Sequence, residues 1–233
     1  MTERRRFLRN GLSLGALSLL SGCDLSGDGP IDRALRAMLR WDDRVQGALF
    51  NPHRLAQTFP ASAITRPFRF NAYYPEWQVR MVDAAQWRLE VGGLVEQKRP
   101  WTLAELTALP RQEQITRLVC VEGWSVIGRW SGIPLRDFLA RVGADTRARY
   151  VNFRCFDDYW ESIDMASALA PQTILTVEFD EKPLTPPFGA PLRLRIPTKL
   201  GFKNPKYIAA MEVTNTYPGG YWSNQGYDWF SGL

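Results

Sequence analysis

Apolar residues recur at helical spacing from Ile31 to about Phe50. Leu35, Met38, Leu39, Trp41 and Val45 stand between charges there, which predicts an amphipathic helix packed on a core. Pro52, Pro60 and Pro67 break the chain beyond it, and the aromatic run FNAYYPEW, Phe70 to Trp77, reads as loop. Trp87 to Val91 alternates as a strand does, with Gly92-Gly93 as a turn before Leu94. Thr102 with Glu105 forms a capping box ahead of Leu106 and Leu109, so a short helix is expected. Ile115 to Val121 is strand-like and runs into a glycine-containing loop, and Pro134 to Val142 reads as a helix with proline in its first turn. Tyr150 to Phe156, Thr173 to Phe179, Leu192 to Ile196 and Tyr207 to Thr214 are further strands, with DEKP, Asp180 to Pro183, turning between two of them. Asp164 caps a helical turn through Leu169. Several strands and a few short helices, with no regular strand–helix alternation, predict an α+β fold with a mixed β-sheet.

Composition narrows the function classes. The 233 residues are 45% apolar, 23% charged and 12% aromatic with nine Trp, which describes a globular chain and argues against disorder or coiled coil. Of the net charge of +5, the first 22 residues supply Arg4, Arg5, Arg6 and Arg9 against Glu3, an excess of three that leaves a surplus of two. So weak a surplus argues against a nucleic-acid partner. One histidine, His53, and three cysteines exclude a His-rich metal site, a His-based triad and a disulfide scaffold.

The first residues read as an address. A charged start, an uncharged run from Gly11 to Leu20 and small residues before Cys23 have the organisation of a signal peptide, too short to span a bilayer, which takes ~20 residues. ERRRFLR resembles a twin-arginine export signal, and LSGC, Leu20 to Cys23, resembles a lipoprotein cleavage box with Cys23 as the lipid-bearing residue. Asp24 resembles a signal for retention at the inner membrane. The expected organisation is a signal segment over 1–23, an N-terminal helix and connecting segment over 24–67, and one domain over 68–233. The expected location is the periplasm, with the protein exported folded and held to the membrane by a lipid anchor only.

Three stretches carry candidate chemistry. Cys120, at the end of the strand-like RLVCVEGW, places a thiol where a strand meets a loop, and a thiolate is a soft ligand for a transition metal. Flanked by Val119 and Val121, it reads from spacing alone more readily as a buried small hydrophobe. Leu192 to Lys206 holds Arg193, Arg195, Lys199, Lys203 and Lys206 with no acid, together with Gly201 for close backbone approach. This is either a phosphate cradle or a solvated cationic face. Tyr217, Tyr221, Trp222, Tyr227, Trp229 and Phe230 crowd the region around PGGYW, read as packing over the core with a rim role for one or two.

RLVCVEGW with WSGIPL, GAPLRLRIP and GFKNPK, in that order, resemble the molybdopterin-binding catalytic domain of the sulfite oxidase family, in its bacterial periplasmic methionine-sulfoxide reductase branch. The resemblance covers roughly Phe68 to Thr214. It implies that Cys120 is the molybdenum ligand and that Asn71 and Tyr74, with Pro75 where a Glu often stands, contact the cofactor. It implies also that Cys155 replaces a threonine near the metal, that Arg193 in FGAPLR binds the cofactor while Phe188 replaces an asparagine, and that Asn204, Pro205 and Lys206 cradle the pterin phosphate. The implied activity is a two-electron oxygen-atom transfer on a sulfur-containing substrate such as a sulfoxide. With no CxxCH haem site and no cluster-type cysteine run, electrons must come through a partner, a membrane b-type haem subunit or a c-type cytochrome. The alternatives are a non-catalytic periplasmic lipoprotein that keeps the fold as a binding module, and a Cys120–Cys155 disulfide formed in an oxidising compartment.

Overall fold

The computed structural model describes residues 29–51 and 53–233. The twin-arginine and lipoprotein motifs, with Cys23 and Asp24, lie outside the described residues. Among the described residues no helix is long and apolar enough to cross a membrane.

Two five-stranded sheets form the body. One runs β2 (Trp101–Thr102), β1 (Arg88–Gly93), β10 (Ile208–Thr214), β5 (Tyr150–Cys155), β6 (Trp160–Asp164). Its β1 and β10 are parallel and its other pairs antiparallel, so the expected mixed sheet is present. The second runs β3 (Gln112–Val119), β4 (Ser125–Pro134), β7 (Ile174–Phe179), β8 (Lys182–Pro183), with β9 (Arg193–Arg195) also paired to β7. Leu89, Val151, Phe153, Ile163, Met211 and Val213 of the first sheet meet Ile133, Leu175, Val177, Leu192 and Leu194 in one buried cluster. A smaller cluster of Leu118, Val126, Trp130 and Ile174 lies beside Phe68 and Phe179.

The helices are short and capped as their sequences dictate. Thr102 Oγ1 accepts the Glu105 amide at 3.1 Å while Glu105 accepts the Thr102 amide at 2.8 Å, fixing the start of α2 (Leu103–Thr107). The Asp164 carboxylate accepts the Ser167 amide at 2.8 Å and starts α4 (Met165–Leu169). Pro134 precedes α3 (Leu135–Arg141), which buries Leu135, Phe138 and Leu139.

Three expectations are corrected. The stretch after Trp124, expected to be loop, is the ten-residue strand β4. Its inward positions alternate Val126, Gly128, Trp130 and Gly132, and the glycines hide the period. They are required by close approach, since a Cβ at Gly132 would stand 2.2 Å from the Leu175 carbonyl and one at Gly128 would stand 2.7 Å from the Phe68 ring. Second, Gly92 and Gly93 do not end β1 but continue its parallel pairing opposite Glu212 and Val213. Third, the N-terminal helix forms as α1 (Pro30–Leu49), but Leu35, Met38 and Trp41 face outward instead of packing on the core.

One buried ion pair ties the sheets to the loop that follows β9. Lys203 Nζ donates to Glu161 Oε1 at 2.6 Å and to the Ser162 carbonyl at 2.7 Å, with both charged side chains fully enclosed. Burial pushes Glu161 up and Lys203 down, and each charge opposes the other's shift. Removing one partner strands a buried charge, so Lys203→Met is expected to lower the unfolding free energy by ~3–5 kcal/mol, with Glu161→Gln added to it recovering part of the loss. Denaturant unfolding of the three chains checks this, and an unchanged midpoint in Lys203→Met contradicts it.

Candidate active site

Cys120 opens the five-residue loop that joins β3 to β4. Its amide donates to the Trp124 carbonyl at 2.8 Å and its carbonyl accepts the Gly123 amide at 3.1 Å, with Gly123 in the left-handed region at φ +85°. The strand register therefore sets the thiol at the sheet end, where it borders a cavity of about 300 Å³. The Asn71 amide donates to Sγ at 3.8 Å, and the thiol lies 3.6 Å from Glu122 Oε2, which also accepts the Trp124 indole at 2.7 Å. Burial pushes the Cys120 thiol up, and the Glu122 charge adds to this while the Asn71 amide opposes it. A thiolate at this position needs a cation beside it, and a metal supplies one.

The loop Gly201 to Lys206 supplies another part of the lining. A Cβ at Gly201 would approach the Val119 carbonyl to 3.2 Å and the Asn71 amide nitrogen to 3.5 Å, so glycine lets the loop lie against the thiol-bearing strand. Asn204 Oδ1 accepts the Ile196 amide at 2.8 Å and an Arg195 guanidinium proton at 3.0 Å, while its amide donates to the Leu200 carbonyl at 3.0 Å. Asn204 thus holds the loop's shape with its own side chain.

All five cations of this segment are buried, so the solvated-face reading is excluded. They divide into two kinds. Lys199 and Lys203 meet carboxylates, Asp164 at 3.4 Å and Glu161 at 2.6 Å. Arg193, Arg195 and Lys206 have no carboxylate within ion-pair distance among the described residues. Arg193 donates to the Phe188 carbonyl at 3.1 Å and stacks on Trp130, 4.8 Å from the ring centre, but its Nε and Nη2 have no hydrogen-bond partner among the described residues. Arg195 Nε is likewise unpartnered. Among the described residues Lys206 donates only to the Pro187 carbonyl, at 3.1 Å, and it lies 4.5 Å from the centre of the Phe70 ring. Burial pushes Arg193 down to about 10, Arg195 to about 9 and Lys206 to about 7, and for the last two the neighbouring Arg193 charge adds to the shift. Unpaired buried cations are costly unless an anion joins them. A soft thiol and a hard cationic cradle, both beside one cavity, fit a molybdenum cofactor that carries a phosphate.

Of the residues expected to contact the cofactor, Asn71, Tyr74, Cys120, Asn204, Pro205 and Lys206 line this one cavity. Arg193 sits behind it against Trp130. Pro75 stands at the start of the 3-10 turn Glu76–Gln78, outside the lining. Cys155 ends β5, also outside the lining, and packs on the large core cluster. Burial pushes its thiol well up. Both cysteines are free thiols, so the disulfide alternative is not realised. Phe188, where the resemblance implies an asparagine, packs its ring against Phe179 at 4.7 Å and Phe68 at 5.6 Å, and its backbone carbonyl accepts the Arg193 proton.

Asp157 is the residue that sequence reasoning missed. Tyr74 donates to its Oδ2 at 2.9 Å and Tyr73 to its carbonyl at 3.3 Å, and burial pushes its carboxyl up against the opposing influence of Tyr74 and Lys206. FDDY offers no motif, and only the β5–β6 turn brings it to the cavity. Tyr73 stacks on Tyr221 at 4.9 Å, and Trp222 and Tyr227 complete an aromatic rim, which bears out the rim role expected for one or two of these residues.

The fold and this site define a molybdopterin-binding oxidoreductase. The chain belongs to the family described as the oxidoreductase molybdopterin binding domain, whose model matches residues 76–222. It is 58% identical over its whole length to a putative protein-methionine-sulfoxide reductase subunit YedZ1 of Azospira oryzae, covering 88% of that protein. It is 33% identical to the protein-methionine-sulfoxide reductase catalytic subunit MsrP of Xanthomonas axonopodis pv. citri over 64% of this chain, a match that spans about half (51%) of that relative. Among solved structures it is similar in fold to the sulfane dehydrogenase SoxCD of Paracoccus pantotrophus, with a TM-score of 0.57 and 18% identity over 63% of this chain and 42% of that one. This membership decides for the enzyme and against the non-catalytic binding module.

Two outcomes follow from this geometry. Cys120→Ser is expected to keep the fold and lose the metal, read as metal per chain by elemental analysis beside a circular dichroism spectrum; full metal content in the variant contradicts the ligand assignment. In the cofactor-free chain, Lys206 has its folded value at about 7 and an unfolded value near ~10.4. Between these the unfolded chain binds more protons, so the Lys206 contribution favours folding increasingly as pH rises from about 7 to about 10. The wild type should therefore gain thermal stability relative to Lys206→Met across that range, and a constant difference contradicts it.

Proposed function

We propose that this chain is the catalytic subunit of a periplasmic molybdenum enzyme that reduces a sulfoxide to a thioether. The observation that carries this is the Cys120 thiol at the edge of a cavity also lined by Lys206, which with Arg193 and Arg195 is one of three buried cations that have no carboxylate within ion-pair distance among the described residues. When bound, the molybdenum cofactor supplies the two-electron oxygen-atom exchange. Cys120 would hold the metal through its thiolate, with the Asn71 amide donating to the sulfur and fixing its direction. Lys206 and the free protons of Arg193 would hold the phosphate, and Asn204 would keep the loop in shape. The rim of Tyr73, Trp222 and Tyr227 would admit a thioether or its sulfoxide by sulfur–aromatic contact and exclude bulk water. Overall, a sulfoxide takes two electrons and two protons and yields a thioether and water.

The sulfur substrate is supported by the activities for which the relatives are named, and the twin-arginine and LSGC motifs support folded export and anchoring at the inner membrane through Cys23. The electrons would come from a membrane b-type haem subunit or a c-type cytochrome, since the chain has no haem or cluster motif of its own.

The loaded enzyme, given a reduced viologen dye, is expected to oxidise the dye when dimethyl sulfoxide or a peptide methionine sulfoxide is added. Cys120→Ser should show no such activity. Oxidation of sulfite with no reduction of either sulfoxide would overturn the substrate and direction proposed.

A further inference from the structure

The helix α1 is mounted with its polar side inward. Asp43 Oδ1 accepts the Phe230 amide at 2.8 Å, Gln46 Oε1 accepts the Gly232 amide at 3.2 Å, and Gln46 Nε2 donates to Asp228 at 3.1 Å. Phe50, which follows the helix, sets its ring edge-on to Phe230 at 5.6 Å. The apolar stripe is left outside, with Leu35 52%, Met38 66%, Trp41 66% and Leu49 79% exposed. Beside it run Arg33, Arg40 and Arg44, also exposed. A contiguous exposed apolar face rimmed by cations marks a contact surface, since a monomer gains nothing by leaving it in water.

We propose that this outer face of α1 lies in the headgroup region of a bilayer that carries anionic lipid. Three features select that occupant. Met38 and Trp41 with flanking arginines form the pattern of a helix that lies in the membrane plane, tryptophan being suited to the boundary. The arginines match acidic headgroups in charge. In sequence the helix begins seven residues after Cys23, and seven residues reach at most ~25 Å, so a lipid on that cysteine would keep α1 near the surface. The last feature rests on the anchoring proposed above, and the first two do not.

The test uses the cofactor-loaded chain from residue 24 onward, which has no acyl group, and vesicles of phosphatidylcholine alone or mixed equally with phosphatidylglycerol. Flotation is expected to recover the protein with the mixed vesicles and much less with phosphatidylcholine alone. Met38→Ser with Trp41→Ser, and separately Arg33→Gln with Arg40→Gln and Arg44→Gln, should each bind the mixed vesicles at least ~10-fold more weakly. Metal content and unfolding midpoint equal to the wild type show that the variants are folded. Absence of binding, or equal binding by both variants, overturns the proposal. So does light scattering that finds a wild-type dimer which the Met38/Trp41 variant loses, because a second copy then covers the face. Acylation of Cys23 is read separately, by mass, on the full chain; its absence would end the anchoring proposal and leave the vesicle result standing.

Discussion

The surplus of buried positive charge around Arg193, Arg195 and Lys206 is the constraint on which the rest of the structure depends. Three cations enclosed with no carboxylate at ion-pair distance among the described residues oppose folding of the chain by itself, since Arg195 exchanges hydration for the Asn204, Thr116 and Arg117 oxygens, and Arg193 and Lys206 for one carbonyl and a ring face each. Lys199 and Lys203, in the same short segment, each have an acid. The fold thus supplies counter-ions to two of the five cations of the segment and, among the described residues, not to the other three. An anionic group held by the first three would convert an unfavourable cluster into a favourable one and would couple folding of this region to loading.

Everything around the cluster serves to place it against a thiol. The β3–β4 hairpin carries Cys120 to the sheet end, β9 brings Arg193 and Arg195 into the second sheet by pairing with β7, and Gly201 allows the following loop to lie on Val119 and Asn71. The two sheets contribute different chemistry. The second supplies thiol and guanidinium groups, while the first supplies Asp157 through the β5–β6 turn and, through Glu161 at its edge, the ion pair that fixes Lys203.

Much of this was legible in the chain itself, and the reasons for the rest are specific. Caps and strand alternation identified α2, α4, β5 and β7 because their signals are local. β4 was hidden because two of its inward positions are glycine, required by neighbours distant in sequence. The thiol and the cationic loop were recognisable because three motifs stand in a fixed order, but that Arg193 lies behind the cavity while Asp157 lies in it depends on tertiary packing. The helix α1 was legible as a helix and not in its orientation. Its apolar stripe suggested a core contact, whereas the residues that anchor it, Asp43 and Gln46, find partners about 190 positions away.

The stretch from Asp228 to Leu233 is bound to the segment that leads into the cation loop. Lys199 donates to the Phe230 carbonyl at 2.7 Å, and the Leu200 and Leu233 amides donate to the Ser231 and Thr198 carbonyls. A ribosome delivers the thiol hairpin long before it delivers this strap. The segment that leads into the cation loop is therefore braced only once residues 228–233 have been made, so the order of translation itself puts the thiol hairpin in place before the loop that carries the cations is fixed.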